Sequence, residues 1–129
     1  MSEAAPDALS RAEWKVMKIV WRRGRAAARD VVAQAAAAHD WRPSTVKTLL
    51  KRLVDKGHLK ATRVGNSFLY EPVETALPSL QRAADSLLEH AVDGLAGPLL
   101  VHLVKRSRLG AEEIAELRAL LDARKGRGR

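Results

Sequence analysis

Three amphipathic segments, then two short extended runs around a Gly-Asn turn, then three more amphipathic segments predict a mainly α protein with a small β-hairpin. In that order the elements make a winged helix-turn-helix domain followed by a C-terminal helical region. Composition agrees: the chain has 129 residues, 47% apolar but only 4% aromatic. A core built from Ala, Leu and Val favours helices.

Residues 1–8 are small and polar and are expected to be disordered. Ser10-Arg11-Ala12-Glu13 fits a capping box and starts a helix that should run to about Arg23. Val16, Ile19, Val20 and Arg23 share one stripe of it, and Trp14, Met17 and Trp21 share the adjoining one. Gly24 stops it. A second helix fits residues 28–38, with Val31, Val32 and Ala35 as its apolar face and Asp30 near its positive end.

The third helix is the clearest. Pro43 suits the first helical position, where its missing N–H costs nothing. Val46, Leu49, Leu50, Leu53 and Val54 repeat at i, i+3, i+4, i+7 and i+8. Lys56 falls in the last turn, and Gly57 supplies a left-handed stop. The period then changes. Residues 59–63 and 67–71 flank Val64-Gly65-Asn66 and read as a hairpin, ended by Pro72.

From about Leu77 the chain is helical again. Leu80, Ala84, Leu87, Leu88, Ala91 and Leu95 keep one face of a helix that Gly94 should end. Leu99, Leu100, Leu103 and Val104 mark a helix starting near Pro98. Ile114, Leu117, Leu120 and Leu121 mark a last one, with Gly110 at its cap. Residues 9–74 then form the winged-helix domain, residues 75–123 a helical dimerisation domain, and residues 124–129 a disordered basic tail.

The net charge of +8 selects nucleic acid or an anionic surface as partner. Within residues 42–63, Arg42, Lys47, Lys51, Arg52, Lys56, Lys60 and Arg63 face one acid, Asp55. The absence of cysteine excludes disulfides, thiolate catalysis and Cys-ligated zinc. His39, His58, His90 and His102 are scattered, so no metal or cofactor is expected. No catalytic constellation stands out, so an enzyme is not expected. With no signal peptide and no long apolar run, the chain reads as soluble and cytoplasmic, without membrane insertion.

The third helix, with its flanks at residues 42–57, is the expected recognition helix. With Val46, Leu49, Leu50 and Leu53 turned inward, 100° per residue points Ser44, Thr48, Lys51 and Asp55 directly away, with Thr45, Lys47 and Arg52 on the flanks. Short hydroxyls allow close approach to a major groove. Arg and Lys reach base edges or phosphates, and Arg42 adds a charge at the cap. On the wing, Arg63, Asn66 and Ser67 are the candidate contacts, although Asn66 could equally serve the turn's left-handed geometry. Trp14, Trp21 and Trp41 read as core residues rather than base platforms.

A monomer exposing Leu87, Leu88, Ala91, Leu99, Leu100, Leu103, Ile114, Leu117 and Leu121 would carry more apolar surface than soluble monomers tolerate. Burying it across a two-fold axis predicts a homodimer with recognition helices roughly 34 Å apart, or a multiple of that, on an inverted-repeat duplex.

Several stretches resemble BlaI/MecI-type penicillinase repressors. They are Leu9-Ser10-Arg11-Ala12-Glu13-Trp14 with Val16-Met17-Lys18-Ile19-Val20-Trp21, residues 41–57, the wing Gly65-Asn66-Ser67-Phe68-Leu69-Tyr70-Glu71-Pro72, Asp93-Gly94, and residues 109–117. The resemblance covers about residues 9–122. It implies a winged-helix homodimer that represses transcription from a palindromic operator. It also implies a paired membrane sensor metalloprotease that responds to β-lactam or cell-wall stress and leads to repressor cleavage. Three departures stand out. The family's Asn-Phe scissile pair is absent, since the one Asn is Asn66. The cysteine cluster of copper-responsive relatives is absent too. Arg42 replaces the usual Ser or Thr before the recognition-helix proline. The alternative readings are a small-molecule-responsive winged-helix regulator, a nonspecific architectural nucleic-acid-binding protein, and a protein–protein adaptor.

Overall fold

The computed structural model describes residues 8–90 and 93–127. All but Ala8 of the segment expected to be disordered at the N-terminus lies outside the described residues, as does Ala91. The element order is α1 (Arg11–Arg23), β1 (Ala26–Ala27), α2 (Ala28–His39), α3 (Pro43–Asp55), β2 (Leu59–Val64), β3 (Ser67–Pro72), α4 (Ala76–Glu89), α5 (Ala96–Arg106) and α6 (Ala111–Arg127). The result is mainly helical with one small antiparallel sheet, as the sequence predicts. One compact unit runs to Ser86 and the other begins at Leu87, so the division falls within α4, later than the expected boundary at residue 75.

In the first unit, Ser10 caps α1 in a complete capping box: its Oγ accepts from the Glu13 N–H, and its own N–H donates to Glu13 Oε1 at 2.8 Å. Gly24, at φ 82°, ends the helix. The core is one cluster of Val16, Met17, Ile19 and Val20 from α1, Val31 and Ala35 from α2, Val46, Leu49, Leu50 and Leu53 from α3, and Ala26 and Leu59 from the sheet. Truncating a fully buried leucine such as Leu50 to Ala in a core of this kind costs about 2–5 kcal/mol. Trp21 and Trp41 pack against this cluster, whereas Trp14 stands half-buried beside Trp21, outside it. The expectation that all three are core residues therefore fails for Trp14.

The connection between α2 and α3 turns on Asp40, which adopts the left-handed conformation (φ 56°, ψ 35°) and donates its N–H to the Ala36 carbonyl. The sheet holds a strand that the sequence does not announce. Two-residue β1 pairs antiparallel with β3, Ala26 opposite Tyr70 and Ala27 opposite Leu69, giving the strand order β1-β3-β2. In the β2–β3 hairpin Val64 pairs with Ser67, so the turn narrows to Gly65-Asn66. Gly65 alone takes a positive φ, of 62°, the pattern of a two-residue II′-type loop. Asn66 does not supply left-handed geometry.

Past the wing, Glu74 ties the chain down. Its carbonyl accepts from Trp21 Nε1 at 3.0 Å, and its carboxylate accepts from Ser79 Oγ at 2.8 Å and from both terminal nitrogens of Arg82. The hydrogen bonds from Arg82 outweigh partial desolvation and hold the Glu74 carboxyl below its ordinary range.

In the second unit, α5 and α6 contain no buried residue. The helix expected to reach Gly94 ends at Glu89, where the His90 N–H bonds back to the Leu87 carbonyl. Helix α5 begins at Ala96, ahead of Pro98, which sits in the first turn where no intrahelical donor is needed. Helix α6 runs to Arg127, so most of the segment expected to be a disordered tail is helical. Arg124, Lys125 and Arg127 in its last turns complement the negative end of the helix dipole. No helix among the described residues is long and apolar enough to cross a membrane.

Candidate nucleic-acid interface

Helix α3 divides cleanly into two faces. Val46, Leu49, Leu50 and Leu53 are buried, as the periodicity predicts. Arg42, Ser44, Thr45, Lys47, Thr48, Lys51 and Arg52 are exposed. Four leucine and valine anchors therefore fix the rotation of the helix about its axis. The hydroxyls and cations are left on the solvent side.

The charges on that side are not equivalent. Lys51 Nζ lies 3.2 Å from the Asp55 carboxylate one turn on, an exposed pair of little energetic weight. Among the described residues Arg42, Lys47 and Arg52 have no ion-pair partner. Arg42 occupies the N-cap in extended geometry (φ −72°, ψ 151°) and makes no side-chain cap bond. Its carbonyl accepts from the N–H groups of Thr45 and Val46. The first-turn N–H groups lack the oxygen that Ser or Thr would offer, so the helix start is open to an external acceptor.

Lys56 belongs to the same basic run but not to this face. Its ammonium lies 2.7 Å from Glu13 Oε1 and also donates to the Ala8 carbonyl at 3.1 Å. The run of cations along residues 42–63 gives no sign that one of them is bound to the opposite end of α1.

The wing residues Arg63, Asn66 and Ser67 are all exposed. Two of them brace the turn: Arg63 Nε donates to the Gly65 carbonyl at 3.2 Å, and Ser67 Oγ donates to the Val64 carbonyl at 3.3 Å. Phe68, opposite Arg63 in the hairpin, is 45% exposed and stacks obliquely on Tyr70 with ring centroids 6.5 Å apart. Sequence periodicity alone would have buried it with Tyr70. Arg25 and Arg29, outside the set read from the sequence, are exposed beside β1 and in the first turn of α2. Arg23, by contrast, is paired with Asp30 at 3.2 Å. Among the described residues no group of His, Asp and Glu could hold a metal ion.

The pattern of the penicillinase repressor family matches residues 9–123 of the chain. The chain belongs to the penicillinase repressor family. Within that family it is 29% identical over 119 residues to the penicillinase repressor of Bacillus licheniformis, covering 92% of this chain and 93% of the relative. It is 28% identical over 114 residues to the methicillin resistance regulatory protein MecI of Staphylococcus aureus, covering 88% and 93%. The DNA-binding domain of the repressor BlaI superposes with a TM-score of 0.51 at 32% identity, over 53% of this chain and 83% of that one. The Bacillus licheniformis BlaI monomer solved with the blaP half-operator superposes at 0.50 and 30%, over 56% and 88%. Both solved neighbours cover about half of the chain. The winged-helix fold and the BlaI/MecI relationship that the motifs imply are thereby established.

Proposed function

We propose that this chain is a transcriptional repressor that binds an inverted-repeat operator as a homodimer, with α3 in the major groove. The supporting observation is the two-faced α3. Its inner face is locked by four core residues, and its outer face offers hydroxyls and unpaired cations in a member of the penicillinase repressor family, in which the relative BlaI was solved on a half-operator. Ser44, Thr45, Thr48 and Arg52 are suited to base edges, whereas Arg42, Lys47, Lys51 and the wing residues Arg63, Asn66 and Ser67 are suited to the flanking phosphates.

The second unit supports the dimer. Helices of 11 and 17 residues with no buried side chain are not stable alone in water. Leu87, Leu88, Leu100, Leu103, Ile114 and Leu121 are exposed, and Leu99 and Leu117 are half-buried. A second copy would cover them and set the two α3 helices in two-fold register. Release would follow from a membrane sensor metalloprotease, as the BlaI/MecI relationship implies. Any cut must fall at a sequence other than Asn-Phe, because Asn66 is the one asparagine.

The test is fluorescence anisotropy on the inverted repeat from the protein's own promoter, a half-site and a scrambled duplex, at several salt concentrations. The expected preference over the scrambled duplex is about 10³-fold or more, with steep loss of affinity as salt rises. Equal affinity for both duplexes would make the protein a nonspecific architectural binder and overturn the proposal.

A further inference from the structure

Two recesses in the first unit are both lined by Trp14. One, of about 340 Å³, is lined by Leu9, Trp14, His58, Ser79, Arg82 and neighbouring small residues. Its cation is already spent, because the Arg82 guanidinium is held by the Glu74 carboxylate. The other, of about 430 Å³, is lined by Trp14, Lys18, Trp21, Arg22, Ala76 and Leu80. Its chemistry is different. The two indoles stand 5.8 Å apart at 54° and form an angled aromatic wall. The Trp21 ring is fixed by its hydrogen bond to the Glu74 carbonyl, which also anchors the chain entering α4. Leu80 adds an aliphatic edge that is 51% exposed. Lys18 and Arg22 are one helical turn apart and both exposed. No acidic residue lines the groove, and among the described residues neither cation has an ion-pair partner.

We propose that this groove binds a small aromatic anion, its ring against the Trp14 and Trp21 indoles and its charged group between Lys18 and Arg22. The volume falls within the range of small-ligand sites. The charge complementarity selects the ligand class. A neutral aromatic compound would leave both cations without a counter-charge, and an inorganic anion would leave two indoles and Leu80 in water. Trp14 is the side chain whose half-buried position the core does not account for. A ring stacked on it would cover the aromatic surface that packing leaves open. The proposal does not depend on operator binding, since every lining residue lies in α1 or at the start of α4.

The experiment is a titration of the full ¹⁵N-labelled chain with 2-naphthoate, followed at the three indole N–H signals and assigned with W14F and W21F. The expected result is saturable movement of the Trp14 and Trp21 signals while Trp41 stays in place. The K18A/R22A double variant should weaken binding by about tenfold or more, with the Trp41 signal unshifted as a sign of intact folding. The neutral 2-naphthalenemethanol should bind about tenfold more weakly than the acid. Failure to saturate, equal affinity in the double variant, or equal affinity for the alcohol would overturn the proposal. So would displacement of 2-naphthoate by inorganic phosphate at the same concentration, which would mark a plain anion patch. Binding by a monomeric variant but not by the wild-type chain would assign the groove to a second copy and overturn it equally.

Discussion

The Glu13 carboxylate, 2% exposed, lies 2.7 Å from the Lys56 ammonium and so joins the first turn of α1 to the end of α3. The same carboxylate closes the α1 capping box through the Ser10 N–H. One buried acid thus fixes where α1 starts and where the helix with the candidate DNA-binding face ends. Burial pushes its carboxyl up, but Lys56 and Ser10 together outweigh that and hold it below the ordinary carboxylate value. A carboxyl depressed in the folded state stabilises fully above its unfolded pKa and loses that contribution as pH falls through the folded value. Chemical denaturation between pH 7 and pH 3 should show stability falling below about pH 4.5, the ordinary value. In E13Q the fall should be shallower, not abolished, because Glu74 is depressed as well. At pH 7, E13Q should cost about 1–3 kcal/mol through the lost charged hydrogen bonds. A pH profile identical to wild type would remove Glu13 from this role.

Arg42 trades helix capping for charge. R42S restores an oxygen that can accept from the N–H groups at the start of α3, and should stabilise the fold by about 1 kcal/mol. The same change should lower the slope of log affinity against log salt by about one. Thermal melting and anisotropy check the two halves separately. A more stable protein with an unchanged salt slope would mean that Arg42 does not reach phosphate.

Thr48 and Arg52 are exposed on α3, and Lys60 is exposed on β2. T48A and R52A should each reduce discrimination against single-base changes in the operator by about 1–3 kcal/mol. K60A should weaken binding to specific and scrambled duplexes alike. Competition assays over a panel of single-base operator variants separate the outcomes. Specificity intact in both α3 variants would mean that another element reads the bases.

Much of this arrangement is legible from local rules. Ser10 with Glu13, Pro43, and the spacing of Val46, Leu49, Leu50 and Leu53 act within one helix, so their signals survive in the linear sequence. The elements that escaped are those set by distant partners. Ala26-Ala27 has no strand propensity and becomes β1 only because β3 offers an edge. Lys56 looks like one more interface cation until Glu13 is brought beside it. Trp14 carries the apolar signature of its neighbours, and only the tertiary packing leaves it outside the cluster that takes in Trp21. The extension of α6 to Arg127 follows from helix propensity and dipole rather than from an apolar stripe, which ends near Leu121.

The wing turn separates geometry from contact. Gly65 sits at φ 62°, which any side chain resists, so G65V should cost roughly 1–2 kcal/mol and loosen the hairpin. Asn66 carries no such constraint, so N66A should leave stability within about 0.5 kcal/mol of wild type. Any loss of operator affinity in N66A is then a lost contact, not a lost turn. Denaturation midpoints together with anisotropy distinguish the two, and a destabilised N66A would return Asn66 to a structural role.

On the proposed dimer, the C-terminal helices would decide whether two half-sites are read together. Leu103 is 46% exposed in the midst of the α5 apolar face with Leu99 and Leu100, in a helix that buries nothing by itself. A carboxylate there would have to be desolvated in a two-fold interface against its own copy, which costs both burial and like-charge repulsion. Sedimentation of L103D should therefore give a monomer at concentrations where the wild type is dimeric. Because residues 9–74 carry the α3 and wing surfaces, the variant should still bind an isolated half-site as the wild type does. Its affinity for the full inverted repeat should drop to the half-site value, and the dependence on the spacing between half-sites should vanish. A dimeric L103D would place the interface away from α5. A monomer that keeps full-operator affinity would show that dimerisation is not what couples the two half-sites.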